Sequence, residues 1–594
     1  MMRHKFNWHQ ICLFLCHFWP ISSLSSDNEQ FTETLLINPL PNGDLFTLFN
    51  FTVFAHQEHE NSGFNASGHR PILVPSLLQH LANQFGITDL HLSIAQGFWR
   101  PRIWGAQMPC TEVPSGNELI AKFDTCQVAN CSQSETHEHD ERKLARLVHT
   151  LNGLFCTSML HLVPQHSSKP KLVFQNGASA ASDEESWFWG TLGGESVCTE
   201  NIKAWKNLLP CKQSGLVSLM DPIELLSAKF HAISLKLTQI GPVWHFSMLF
   251  RTVHSGEMSR EKATKGISLI KSLFGRELTT ECPIVSKSSV VIVQNELFGL
   301  KMPAKNSSKI DNQNFLEFNG AKQINKIGIF HLKPPNFHAL QIHTENIIVH
   351  SHIKSVNQIG GRISTQIVNP LSVPLVNALF AHQISWHLRI FLHTLEMKCQ
   401  TENGIEKPNF ELSSFTLARD RARPLLMELT IGIPAMSKCV VNVDYEAAFL
   451  RIADFPPDAS SGIFVPGALL QIPLAHNPAL MQTMHETFPI PLDIGKTQWV
   501  RVFGEPLLVL LPIPDFSMPF NVICLVCTAI AIFYGNAFAL STKIMVPVPK
   551  KDTAEAGNGI CRQGILAQLL CQFTAKIGTI RRIFQRMPKD EKKE

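Results

Sequence analysis

The sequence predicts an α+β protein: a mixed α/β amino-terminal region, an antiparallel β-sandwich region after it, and then one transmembrane helix. Three observations predict this. Apolar residues recur at helical spacing in the first half. After about Pro283 the period shortens to 2. Near the end, Phe520 to Leu540 carries no charged side chain, over a length that about 20 apolar residues need to cross a bilayer.

Taken in order, Arg3 and Lys5 followed by the apolar run Ile11 to Phe18, with Ser23 and Ser25 beyond it, form a signal-peptide pattern over residues 1–25. Phe31 to Phe54 suits strands, broken by a Pro41-Asn42-Gly43-Asp44 turn. Pro75 to Phe85 places Leu77, Leu78, Leu81 and Phe85 on one helical face, with Gly86 as the stop. Leu90, Leu92 and Ile94 alternate as a strand. Cys110 to Arg142 is polar and reads as an excursion. Glu141 to Met159 is expected to be a helix with the stripe Leu144, Leu147, Val148, Leu151, Leu154 and Phe155, and Arg260 to Phe274 another.

The second half reads as strands. Trp386, Leu388, Ile390 and Leu392 alternate, as do Met427, Leu429, Ile431 and Ile433, then Cys439, Val441, Val443 and Tyr445. Asn306 to Asn319 reads as a loop or boundary. The domain expectation is therefore a mixed α/β region over 26–285, a sandwich-rich region over 286–518, the membrane helix over 519–541 and a basic tail over 542–594. Val500 to Met518 is apolar and studded with prolines, as if the folded body sat on the bilayer.

Charge sets the orientation. From Ser541 to Glu594 there are eleven Lys/Arg against five Asp/Glu, a net +6. Positive flanks stay cytosolic, so this tail is expected in the cytosol and everything before Phe520 in the lumen. The overall +4 then leaves the mature lumenal part near −4. That sign offers no basic face to nucleic acid, which is excluded as a partner. Four sequons, at Asn50, Asn65, Asn130 and Asn306, lie on the expected lumenal side. Nine cysteines lie there too: Cys110, Cys126, Cys131, Cys156, Cys198, Cys211, Cys282, Cys399 and Cys439. An odd number leaves one free or bonded to another chain.

No catalytic or metal centre is legible. His56, His59 and Glu60, and likewise His137, His139 and Asp140, lack metal-site spacing. No nucleophile elbow, phosphate loop or dinucleotide fingerprint is present. Cys156 and His149, seven residues apart, would share a helix face, but the apolar stripe beside them favours a core thiol. The expectation is no catalytic residue, no metal and no cofactor.

Two constellations stand out. Trp99, Arg100 and Trp104 form either a partner-binding patch or an Arg stacked on Trp within the fold. In Val197 to Cys211, two cysteines bracket an amphipathic run with Trp205, Leu208 and Leu209, and short-range pairing of Cys198 with Cys211 is the reading from spacing.

Five stretches, LINPLPNGDLFTLFNF (36–51), LHLSIAQGFWRPRIWG (90–105), LNGLFCTSML (151–160), VCTENIKAWKNLLPC (197–211) and EPLLVLLPIPDFSMPFNVICLVC (505–527), resemble the PIG-T subunit family of the glycosylphosphatidylinositol (GPI) transamidase. Family members usually carry a sequon at the Asn of the CTEN motif; Asn201 here has none. The resemblance implies a non-catalytic core subunit in the endoplasmic reticulum membrane. Its complex joins the new carboxyl end of a cleaved proprotein to the ethanolamine of a GPI lipid. The Cys/His nucleophile would belong to a PIG-K-type subunit, with PIG-S, PIG-U and Gaa-type subunits as further partners. It also implies that Cys198 bonds to the PIG-K-type chain and that Cys211 and Cys282 pair; from the residues themselves, Trp99, Arg100, Trp104 and Trp205 are candidate interface residues. Asn521, Gly535 and Asn536 are small or polar residues of the kind that pack transmembrane helices against one another. A membrane-anchored glycosidase, needing paired carboxylates, and a cell-surface adhesion receptor on a stalk are the alternatives.

Overall fold

The computed structural model describes residues 29–544 apart from internal stretches, the longest of them 57–71, 175–185, 333–345 and 481–498. The signal region, the tail beyond Ile544, the sequons at Asn65, Asn130 and Asn306, and Cys110, Cys126 and Cys131 lie outside the described residues.

The first strands are β1 (Glu29–Pro39), β2 (Leu45–His56), β3 (Ile87–Gln96), β4 (Gly116–Phe123), β5 (Ser167–Ser168), β6 (Ser186–Leu192), β7 (Phe230–Ile240) and β8 (Val243–His254). They continue as β9 (Lys287–Val293), β10 (Phe298–Lys301), β11 (Ser308–Lys309), β12 (Phe315–Phe318) and β13 (Gly328–Leu332). Eleven of these make one sheet in the order β11-β12-β9-β1-β2-β8-β7-β3-β4-β6-β5, while β10 and β13 pair separately. Every neighbouring pair in the large sheet is antiparallel except β1 with β9, which run parallel from Thr32 opposite Lys287 to Ile37 opposite Ile292.

Helices cover one face of that sheet. They are α1 (Ser76–Phe85), α3 (Gln133–Phe155), α4 (Thr199–Lys206), α5 (Pro222–Leu226) and α6 (Leu269–Phe274), while the short α2 (Pro101–Trp104) packs Trp104 against the other face, with Leu36, Phe46 and Leu48. Strand residues of period 2, such as Phe49, Phe51 and Val53, meet helix residues of period 3.6, such as Leu144, Leu147, Val148 and Leu151, in one buried cluster. Burial of this kind is the main favourable contribution to folding.

Several sequence expectations need correction here. Leu77 is 39% exposed, and α1 buries Leu78, Leu81, Ala82 and Phe85 instead. The polar stretch from Cys110 to Arg142 holds β4, in the interior of the large sheet, and the first turns of α3. That helix ends at Phe155, short of Met159, because Cys156 turns left-handed at φ 53°. Of the second expected helix, Leu269–Phe274 is helical, opened where the Ser268 hydroxyl caps the Lys271 amide, and residues 262–266 lie outside the described residues. The expected boundary between 285 and 286 is not a sheet boundary, since β9, β11 and β12 extend the first sheet.

The later strands are β14 (Ile348–Lys354), β15 (Gly360–Asn369), β16 (Leu375–Ile384), β17 (Leu388–Thr401), β18 (Gly404–Glu406), β19 (Phe410–Thr416), β20 (Leu425–Ile433) and β21 (Ser437–Ala447). They end with β22 (Ile463–Val465), β23 (Leu469–Pro473), β24 (Trp499–Phe503) and β25 (Leu507–Val509). Two five-stranded antiparallel sheets result, β14-β15-β21-β17-β18 and β19-β20-β16-β23-β24, beside a two-stranded β22-β25 ribbon. Ile367, Cys399 and Val441 from the first pack with Phe380, Leu429 and Leu470 from the second in a single core. Cys399 and Cys439, directly opposite in register on β17 and β21, form a disulfide that sequence reading did not pair.

The described residues from Glu29 to Pro512 form one compact unit. Its halves are joined by named groups. The buried Glu428 carboxylate on β20 accepts the amides of Lys171, Leu172 and Val173, each at 3.0 Å. Gln383 on β16 accepts from Thr191 at 3.2 Å and donates to the His166 carbonyl at 2.6 Å. Val173, Phe174 and Trp189 share a cluster with Ala381, Leu426 and Leu469. Nearby, burial pushes the Glu118 carboxyl up to about 7, against the pull of Arg501 and a hydrogen bond from Trp189.

The second unit holds α7 (Ser517–Thr542), whose Phe520–Thr542 stretch is long and apolar enough to cross a membrane.

Candidate subunit-docking site

The CTEN motif is built around one helix end. Cys198 takes the extended N-cap position of α4, at φ −115° and ψ 173°. Asn201, three residues on, folds back, and its Oδ1 accepts the Cys198 amide at 2.7 Å. Spacing of this kind satisfies amides that a helix start leaves without partners. The Asn201 amide group also donates to the carbonyls of Phe155 at 2.7 Å and Cys156 at 2.9 Å, at the C-terminal end of α3. One buried side chain therefore closes two helix termini. Phe155 and Trp205 pack against each other with their rings tilted and centroids 4.9 Å apart.

The motif is also tied to the sheet. The Val197 amide donates to Gln96 Oε1 at 3.2 Å, and the same oxygen meets His231 Nε2 at 3.0 Å. Burial holds the His231 ring well below its usual value, at about 4, so this imidazole stays neutral and donates. The two constellations noted in the sequence thus meet at Gln96, on the C-terminal end of β3. Gln96 and Asn201 carry the positioning here, as Glu428 carries the union of the two halves, and sequence reading gave none of the three a role. Only Asn201 had a signal, its three-residue offset from Cys198.

Past α4, the structure joins Cys211 to Cys282, with Cα atoms 5.8 Å apart. Gly215 sits beside them at φ 63°, where a Cβ would meet the Glu33 carboxylate at 2.7 Å and Cys282 Cβ at 2.9 Å. Glu33 accepts the Leu216 amide at 3.0 Å and the Ser288 hydroxyl at 2.6 Å. Burial, partly offset by these hydrogen bonds, raises its carboxyl.

The remaining sulfur chemistry is simple. Among the described residues, Cys156, Cys198, Cys524 and Cys527 are outside any disulfide. Cys198 is half-buried, and α4 presents Glu200 and Lys203 to solvent beside it. The Thr199 hydroxyl bonds to Glu200 and holds that carboxyl below its ordinary value. Cys156 is exposed beyond the end of α3, so it is not a core thiol and shares no helix face with His149. Among the described residues no group of three His, Cys, Asp or Glu side chains is arranged to hold a metal ion.

The tryptophan patch belongs to the fold. Trp104 is buried and donates from Nε1 to Asp44 at 3.2 Å, in the turn before β2. Lys229 bonds the same carboxylate at 2.7 and 2.9 Å. Trp99 donates to the Gly105 carbonyl at 2.8 Å and packs edge-on against Phe46, Trp104 and Phe230. Arg100 lies 5.9 Å from the Trp104 ring, the stacked alternative of the two. Trp205 is wholly buried. Trp104 and Trp205 therefore offer no surface to a partner, since their large apolar areas are taken up by the core. Asn50 lies in the interior of the large sheet on β2, half-buried, and accepts from Thr52 at 3.1 Å. Asn521, Gly535 and Asn536 lie on the exposed surface of α7, and a Cβ at Gly535 would meet nothing within 4 Å.

A family model described as the Gpi16 subunit, a GPI transamidase component, matches residues 13–248 and 254–569. The chain belongs to the Gpi16 family. Membership gives it a subunit role in the GPI transamidase. It is 29% identical over 552 residues to the human GPI-anchor transamidase component PIGT, covering 87% of this chain and 90% of the human protein. It is 24% identical over 598 residues to the GPI transamidase component GPI16 of Saccharomyces cerevisiae, covering 89% of this chain and 91% of that one. Among solved structures, a GH20 exo-β-N-acetylglucosaminidase from Vibrio harveyi aligns over 29% of this chain and 19% of its own at 11% identity. Its TM-score is 0.15, too low to carry an argument about fold or activity.

Proposed function

We propose that this Gpi16-family chain is a non-catalytic scaffold of the GPI transamidase that holds the protease-like subunit through Cys198. The observation that carries this reading is the pairing of cysteines. Cys211 is engaged with Cys282, while Cys198 stands half-buried at a helix end that Asn201 fixes from both sides. A thiol held in place but without an intrachain bond is poised for a second chain. The bulk of the chain is read as lumenal in the endoplasmic reticulum, with the basic tail cytosolic and PIG-K-, PIG-S-, PIG-U- and Gaa-type chains as partners. The GPI lipid and the proprotein are bound at the level of the complex. The two five-stranded sheets are read as a β-sandwich, supported by their common core. Asn50, Asn65, Asn130 and Asn306 are proposed glycan acceptors.

Cys198→Ser should abolish a heavier band on a non-reducing gel and weaken recovery of the partner, without unfolding this chain. A wild-type chain that migrates as a monomer without reductant refutes the reading.

A further inference from the structure

The β22-β25 ribbon carries an apolar surface of its own. Phe464 and Leu508 are directly opposite in register, and Leu510 follows two residues on. Side chains at such positions share one face, with opposed pairs about 5 Å apart. These three are 42%, 49% and 70% exposed. Their alternates, Ile463, Val465, Leu507, Val509 and Leu511, are buried in the cluster beneath. The ribbon is thus apolar on both faces. Phe464 is held from one side by Gly193 and Gly194, where an added Cβ would come within 3.0 and 2.5 Å of it. No charged residue occurs from Gly462 to Ala475 or from Pro506 to Pro514.

Chain length restricts what can cover this face. Leu510 precedes Ser517, the first residue of α7, by seven positions, and seven extended residues reach at most about 25 Å. The 26 residues of α7 extend about 39 Å, longer than a hydrocarbon core of about 30 Å. On the reading of α7 as a span, its start lies at one membrane surface, and the tether keeps Leu510 within about 25 Å of that start. A protein partner would be expected to meet a polar rim around an apolar centre, and neither strand supplies one. A lipid surface accepts an uncharged apolar edge directly.

We propose that the face formed by Phe464, Leu508 and Leu510 rests in the headgroup layer of the phospholipid bilayer, as a second membrane contact beside the helix. This rests on the reading of α7 as a membrane span and is independent of the Cys198 bond.

The test uses the full chain in nanodiscs of a phosphatidylcholine carrying a diazirine high in its acyl chain. After irradiation, lipid adducts are mapped by mass spectrometry. Adducts are expected on α7 and on the peptides bearing Phe464 and Leu508 to Leu510. None are expected on Ile240 or Ile405, which are 73% and 75% exposed on other strands. Leu510→Asp, a change at an exposed position, should cut the yield at Leu508 several-fold and leave α7 unaffected. Adducts on α7 with none on the ribbon overturn the proposal. So does a ribbon that crosslinks to another subunit in the purified complex. Absence of adducts on α7 itself would defeat the span, and the proposal with it.

Discussion

His382 shows how one side chain carries a pH dependence. It is fully buried on β16, and its Nε2 lies 3.1 Å from the Pro466 carbonyl, which can only accept. Burial lowers its pKa to about 4, with the Pro466 bond opposing. The folded chain therefore keeps this ring neutral down to about pH 4, while the unfolded chain protonates it below about 6.5. Between those values the unfolded state binds a proton that the native state refuses, so stability is lost as pH falls through that window. The contribution is on the order of 3 kcal/mol. His382→Gln keeps a donor near the same place and should flatten this part of the slope in denaturant titrations of the full chain. An unchanged slope would refute the assignment. At this scale the sequence was legible only in part. The aromatic richness of the Trp99–Trp104 and Trp205 runs was plain, but a tryptophan suits an interface and a core equally well. Only the third dimension shows Asp44 beneath Trp104.

For elements, periodicity did most of the work. β2, β3, β17, β20 and β21 and the body of α3 follow the apolar spacing seen in the sequence. β4 and the first turns of α3 escaped because they lie in a stretch dominated by polar residues, where no period stands out. In the membrane helix, Asn521, Thr528 and Gly535 recur every seven residues, which keeps them on one stripe of an α-helix with about 20° of drift per repeat. Thr528 bonds back to the Cys524 carbonyl at 2.7 Å. Small and polar residues favour helix contacts in lipid, where apolar side chains gain nothing from leaving one another's company. The triple variant Asn521→Leu, Thr528→Leu, Gly535→Leu should still insert, yet recover partner subunits poorly on gentle purification and reduce surface display of GPI-anchored proteins. Full assembly by that variant would make the helix a passive anchor.

Over the whole of the first unit, the separation of an α/β first half from a β-rich second half was visible in the change of period, whereas their union was not. Glu428 and residues 171–173 are more than 250 positions apart, and no local pattern announces such a pair. A carboxylate accepting three buried amides gains from each charge-assisted bond. Glu428→Gln puts an amide group, half donor, against three donors. The loss should be about 2 kcal/mol or more, since buried donors left without acceptors retain their desolvation penalty. Hydrogen exchange at Lys171, Leu172 and Val173 should accelerate by about tenfold or more, given about 1.4 kcal/mol per decade. Unchanged exchange at those three amides would show that the halves are held by apolar packing alone.

The parallel pair of β1 with β9 sets a timetable for biosynthesis. Thr32 and Lys287 are 255 residues apart. A ribosome adding about 5 to 20 residues each second delivers β9 roughly 13 to 50 s after β1. Throughout that wait the outer edge of β1 has no native neighbour, and an uncovered strand edge invites pairing with other chains. Cysteine chemistry faces the same delay. Cys282 arrives 71 residues after Cys211, and in the interval Cys198, thirteen residues upstream of Cys211, is a closer thiol. Oxidation in order of appearance would close the wrong loop and consume the Cys198 thiol, which the finished fold leaves outside any disulfide. The native pairing therefore depends on Cys211 staying reduced, or being reshuffled, until the first sheet is complete.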